Sequence, residues 1–226
     1  AEYNQLLFAR STERITGNAN WLIAHEYGNN SFRAYQVGPQ GIGNPVVSSI
    51  GSDHSLTVAA QGQGYMELSA QNVLGVALST PGVSNAVEVF DFIDSAGTVT
   101  NFRRVDLNQP AGQVYGIEFS PSSRKLYATV IGTPTLFELA YDTLSGTYTH
   151  RPEIPPVTPP QEIGAIQTGP DGQLYVATND AANAGLPLGT INVAEDKQVP
   201  SGFDPAGFPL LGGTFSKLGL PNFTQI

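Results

Sequence analysis

The sequence predicts an all-β protein, a β-propeller built of about four four-stranded antiparallel blades, closed on itself or part of a larger ring. Three observations predict it. A strand–turn–strand phrase recurs, as YGIEFSPSSRKLYATV over 115–130 and as IGAIQTGPDGQLYVAT over 163–178. The leucines at one place in that phrase, Leu22, Leu74, Leu126 and Leu174, stand 52, 52 and 48 residues apart. The 25 Gly and 17 Pro punctuate many short strands better than a few long helices. Four strands recurring at this period are the sequence mark of a propeller blade, which cannot bury both its faces until neighbours stack against it. A β-sandwich is the competing architecture, and its strands lack the four-beat period.

Each unit opens with a first strand and a tight turn. The clear versions are GIEFSPSSRK and AIQTGPDGQ; ERITGNAN and YMELSAQN are worn ones. Pro121 and Pro170 occupy the same place, where a fixed φ starts the reversal, and Asp171-Gly172 offers the positive φ of a tight hairpin. Downstream of the leucines come SFRAYQV, AVEVFDFID, TLFELAYDT and LGTINVAED, whose period-two alternation argues half-buried strands. A fourth strand follows in three units, as PVVSSI, NFRRVDL and YTHRPEI. The last unit shows no evident fourth strand, so the N-terminal segment 3–10 is expected either to complete it and clasp the ring or to finish a preceding blade. The chain then reads as a single domain, 1–226, with units at about 11–50, 63–107, 114–156 and 163–223.

Composition removes several function classes. A net charge of −9 with 10 scattered basic residues is the wrong balance for neutralising phosphates, so no nucleic acid partner is expected. No window approaches the ~20 apolar residues of a membrane-spanning helix. The lack of cysteine excludes disulfides, thiol catalysis and thiolate metal centres. Charged residues amount to only 13%, so Asn, Gln, Ser and Thr must make the polar surface, a composition that points to an exported protein.

The block LLFARSTERITGNANWLIAHEYGNNSFRAYQV, the hairpin YGIEFSPSSRKLY and the closing GPDGQLYVA…LGGTFSKLGLPNF together resemble the propeller-like region of large surface proteins of gliding bacteria. In that family the region precedes PKD-type and type IX sorting domains. The SPxxxKLY hairpin is also similar to WD40-like and YVTN-like propellers. The resemblance spans nearly the whole chain and implies an extracellular or cell-surface module engaged in adhesion, without known catalysis.

Residue patterns that carry chemistry are few. His25, His54 and His150 stand 29 and 96 residues apart, with no ligand spacing, and the blade alignment keeps His25 from His150. Asp53-His54-Ser55 sets triad residue types side by side, whereas a triad converges in space. Asp91, Asp94 and Asp142 sit at hairpin turns, where Asp caps the backbone. Trp21 reads as a packing residue rather than a sugar platform. The positional argument that remains concerns one propeller face, where loops joining second to third strands meet the inter-blade loops. Asn29, Asn30, Asn85, Asn179, Asp180 and Asn183 fall in the former, and Asp53, His54 and Gln109 in the latter. Their amides and carboxylates suit sugar hydroxyls or a hard cation, so calcium is the one cofactor left open. The expected function is therefore binding or scaffolding toward a surface polysaccharide or a protein, with oligomerisation through edge strands as a further route to partners. The competing readings are a structural subunit of a larger assembly and a metal-assisted lactonase-like or hydrolase propeller. The latter would use a ring of inner-strand residues, Glu13, Glu67, Glu118 and Gln167, placed at nearly equivalent positions.

Overall fold

Sixteen strands in four antiparallel sheets make up the computed structural model, which describes residues 11–54, 59–80, 84–108, 111–133, 135–150, 154, 162–179, 187–195, 199–214 and 216–220. The first sheet holds β1 (Ser11–Gly17), β2 (Trp21–Glu26), β3 (Ser31–Gly38) and β4 (Gly41–Ser49). The second holds β5 (Met66–Leu68), β6 (Val73–Thr80), β7 (Ser84–Ile93) and β8 (Thr98–Asp106), preceded by a single 3₁₀ turn at Ala59–Gly62. The third holds β9 (Gln113–Phe119), β10 (Lys125–Ile131), β11 (Thr135–Asp142) and β12 (Thr147–His150). The fourth holds β13 (Glu162–Thr168), β14 (Leu174–Asn179), β15 (Leu188–Asn192) and β16 (Gly202–Phe208). In every sheet the strands lie in chain order from inner to outer edge. This is blade topology, and the all-β propeller architecture follows from it.

Hydrophobic alternation decides how the blades stack. Cross-strand partners share a face, so each blade carries one apolar layer toward the preceding blade and one toward the next. Trp21, Ile23, Phe32 and Ala34 of the first blade pack with Met66, Leu74, Val76 and Phe90 of the second. Ala77, Val87 and Val89 of the second pack with Ile117, Phe119, Leu126 and Phe137 of the third. Tyr127, Leu136 and Ile154 of the third pack with Ile163, Ile166, Leu174 and Ile191 of the fourth. Inner strands approach in the same order, β1 on β5, β6 on β9, and β9 and β10 on β13; among the described residues no comparable packing joins the fourth sheet to the first.

Two expectations change. The fourth blade does have a fourth strand, β16, pairing with β15 through Leu188↔Phe208 and Asn192↔Gly202. Pro205 and two glycines hide it from a hydrophobic pattern, and proline is tolerated there because an edge strand needs no donor on its outer side. The N-terminal segment 3–10 lies outside the described residues, and this blade does not need it. The inner-strand ring is also re-registered. Cross-strand pairing places Thr16↔Ile23, Glu67↔Gly75, Glu118↔Tyr127 and Gln167↔Tyr175, so Thr16 rather than Glu13 is the first blade's member. The first hairpin is the shorter one, with seven residues from Thr16 to its partner against eight or nine in the other blades, and this shifts the count.

Candidate functional site

Hydrogen bonds fix the loops that follow the second strands of the first two blades. In the first blade the β2–β3 turn and the inter-blade loop bond to each other: Gly28 N donates to His54 O (2.7 Å), His54 N to Asn29 O (3.0 Å) and Ile50 N to Asn30 O (3.0 Å). Asn29 Oδ1 accepts from Ser31 N at 2.8 Å, its Nδ2 donates to Glu26 Oε2 at 3.1 Å, and Asn30 Nδ2 reaches Gly51 O at 3.4 Å. Both asparagines remain half-buried, and Asp53 beside them is exposed. Asn85 is fully buried. Its Oδ1 accepts from Ser79 Oγ (2.7 Å) and Val114 N (3.1 Å), and its Nδ2 donates to Ala111 O (3.1 Å). It locks the second blade's loop to the third blade. Asn179 Nδ2 reaches Glu162 Oε2 at 3.4 Å within its own blade. Gln109, Asp180 and Asn183 lie outside the described residues. Asn29, Asn30 and Asp53 thus come together in one rigid corner of the first blade.

His54 goes elsewhere. It is fully buried and stacks on His25, with ring centroids 3.6 Å apart and planes inclined by 18°. Arg14, 1% exposed, enters from β1: its Nε donates to Ala77 O (3.0 Å), its Nη1 to Gln61 O (2.7 Å), its Nη2 to Gln63 O (2.5 Å), and Nη1 lies 3.3 Å from His54 Nδ1. Neither ring nitrogen of His25 has a hydrogen-bond partner. Burial, with the Arg14 charge adding to it, pushes His25 down to about 3; burial and the neighbouring His25 and Arg14 push His54 further down. Both imidazoles are neutral at pH 7. Sequence spacing could not bring these two histidines together, because the contact depends on where the inter-blade loop returns.

At the inner edge, Glu67 and Glu118 form the second buried cluster. Burial raises both carboxyls, and Glu118 also raises Glu67; Glu118 itself is pushed up to about 7. Glu118 Oε2 accepts from Thr168 N of the next blade (3.1 Å), and Oε1 from Phe119 N (3.2 Å). Thr16 Oγ1 does the same two interfaces earlier, accepting from Leu68 N at 3.2 Å. These residues therefore bridge inner strands. Among the described residues no group of three or more His, Asp or Glu side chains is placed to hold a metal ion.

The remaining candidates are structural. Trp21 is 7% exposed, donates from Nε1 to Asp94 O (2.9 Å) and meets Phe92 edge-on. Asp142 caps its turn by accepting from Leu144 N and Ser145 N, each at 3.2 Å. Asp91 pairs with Arg103 at 2.5 Å. The segment 216–220 crosses from the fourth blade to the second: Ala165 N donates to Leu218 O (2.7 Å), Thr178 N to Ser216 Oγ (3.1 Å), and Tyr65 Oη to Leu220 O (2.8 Å). Gly164 permits the crossing, because a Cβ there would overlap Leu218 O.

No protein-family model matches the chain, and no curated protein matches it. Solved structures do share its architecture. A candidate 6-phosphogluconolactonase from Bacteroides uniformis matches with a TM-score of 0.59 at 15% identity, over 88% of this chain and 56% of its own. Hsv2p of Kluyveromyces lactis matches with a TM-score of 0.55 at 9% identity, over 90% of this chain and 63% of its own. Hydrazine synthase of Kuenenia stuttgartiensis gives 0.52 at 13% identity, over 88% and 56%. The chain spans less than two thirds of the length of each of these three. At these identities what the likeness shows is the β-propeller fold.

Proposed function

We propose that this chain is a binding propeller of an exported surface protein, akin to those of gliding bacteria, that presents the corner formed by Asn29, Asn30 and Asp53 to a surface polymer or protein. The observation that carries the reading is the mutual bonding of the β2–β3 turn and the 50–54 loop, which fixes polar groups in place before any ligand arrives. The buried charged groups are bonded within the chain: Arg14 to three carbonyls, and Lys125 Nζ to Glu138 Oε1 (3.1 Å) and Val199 O (2.6 Å). They hold blades together, and recognition falls to the neutral amides and to Asp53, a pairing suited to sugar hydroxyls with or without calcium.

A polysaccharide array probed with the chain, with and without calcium, tests this. Saturable capture lost in the double variant Asn30→Ser, Asp53→Ser, at an unchanged melting temperature, is the expected result. Capture that survives both substitutions overturns the assignment of the corner. A second reading, hydrolysis of a cyclic ester at Glu67 and Glu118, is favoured by the Glu118 carboxyl lying near 7, where a general acid–base is effective. Release of acid from gluconolactone that disappears in Glu118→Gln would support it, and wild-type rates equal to the buffer's would remove it.

A further inference from the structure

The repeat supplies a test of completeness that each blade interface passes and the two end faces do not. On the inner strands, Ile15, Met66, Ile117 and Ile166 are equivalent, each standing one residue before Thr16, Glu67, Glu118 and Gln167. Met66, Ile117 and Ile166 each pack into the preceding blade and are 0%, 0% and 2% exposed, whereas Ile15 is 42% exposed. The same face of the first blade carries Val37, Ile42 and Val47, by the pairings Val37↔Ile42 and Arg33↔Val47, and these are 42%, 44% and 50% exposed. The first blade thus shows water an apolar layer of the kind that its successors bury.

The fourth blade presents the complement. Tyr127 of the third blade is fully buried against the fourth; its equivalent Tyr175 instead lines an open apolar groove of about 280 Å³ with Gln167, Leu188, Phe208 and Leu220. At two of the three interfaces the acceptor at this inner-strand position takes a main-chain N–H from the next blade, Thr16 from Leu68 and Glu118 from Thr168, whereas Phe119 N goes to Glu118 Oε1 and not to Glu67. Gln167 is the last acceptor of the series, and its Oε1 is buried without a hydrogen-bond partner. A polar atom held from water in this way costs free energy until a donor arrives. By register the donor position that precedes Leu68, Phe119 and Thr168 in the series is Gly17.

We infer that the fourth blade of one copy receives the first blade of a second copy, with Ile15 entering the groove over Tyr175 and Gly17 N donating to Gln167 Oε1. The contact continues the three interfaces already built, using the two end members that the chain itself leaves over. Because it is head-to-tail, two copies close it twice and give a ring of eight blades, the upper end of the common range. This assembly is independent of the ligand corner on the loop face.

Sedimentation velocity on the whole chain from about 1 to 100 µM tests it. The expected species is a dimer of twice 23.9 kDa. Ile15→Asp and Tyr175→Asp, each placing a carboxylate in the apolar contact, should each weaken the dimer about thirtyfold or more. Val47→Asp serves in place of Ile15→Asp if circular dichroism shows the latter unfolded. Mixing the two singly substituted chains should restore heterodimers through one intact interface, which a contact of first blade on first blade or fourth on fourth could not do. A wild-type monomer throughout the range overturns the inference, as does a dimer indifferent to both substitutions.

Discussion

Between the first and second blades Arg14, His25 and His54 fill the interface, whereas at the inner edge between the second and third the buried ionisable groups are Glu67 and Glu118. Desolvation acts on both clusters and favours the uncharged form in each, so the bases shed protons and the acids keep them. What differs is the permanent charge. Arg14 cannot deprotonate, and it survives burial because the carbonyls of Ala77, Gln61 and Gln63 surround its guanidinium. Glu118 accepts main-chain N–H groups from Phe119 and Thr168, and burial still pushes it up to about 7. One interface is held by a fixed charge among neutral partners, the other by a proton that neutral pH can remove.

The largest effect expected from breaking this contrast is at Arg14. Arg14→Met removes the donor from three carbonyls and should lower stability by about 3–5 kcal/mol in urea denaturation; a loss under about 1 kcal/mol would mean that those carbonyls find other partners. Asn85→Ala, which strips Val114 N of its buried acceptor, should cost about 2–3 kcal/mol by the same measurement. The carboxylate cluster is sharpened by pH. Since the folded state holds the Glu118 proton up to about 7 and the ordinary value is 4.5, this group's contribution is full below 4.5 and is lost as pH rises toward 7. Glu118→Gln keeps an acceptor for Thr168 N and should flatten that decline, raising the melting temperature at pH 8 relative to wild type with no gain at pH 4.5. The histidines work in the opposite sense. Their folded values lie below 6.5, so the stability present above 6.5 is lost as pH falls toward 3. His54→Phe keeps a ring on His25 and removes one titrating group; it should make the acid limb of the melting-temperature profile shallower, the smallest change of the four.

The period was legible because the four leucines sit beside tight turns, and each turn announces itself chemically. Asp171 caps Gln173 N (3.1 Å) and Gly172 takes φ +78°. The β16 strand was not legible, because its register is set by pairing with β15 and not by its own side chains. The displacement from Glu13 to Thr16 came from a shorter hairpin in the first blade, which changes the count without changing composition. The loop corner could be read from topology, since Asn29, Asn30 and Asp53 each mark a reversal. The histidine stack and the solitary Gln167 Oε1 could not, for each depends on segments far apart along the chain.

The segment 216–220 gives the chain an order of completion. Stacked repeats gain stability from nearest neighbours, so successive blades would be expected to consolidate one by one as they leave the ribosome. Tyr65 and Leu220 are 155 residues apart and exchange two hydrogen bonds, Tyr65 Oη to Leu220 O and Leu220 N to Tyr65 Oη. Ala165 N likewise waits for Leu218 O. The second blade therefore reaches its final hydrogen bonding only after the fourth has been synthesised. A nascent chain halted before residue 216 should be open to proteases at Tyr65 although every residue of its own blade has already emerged.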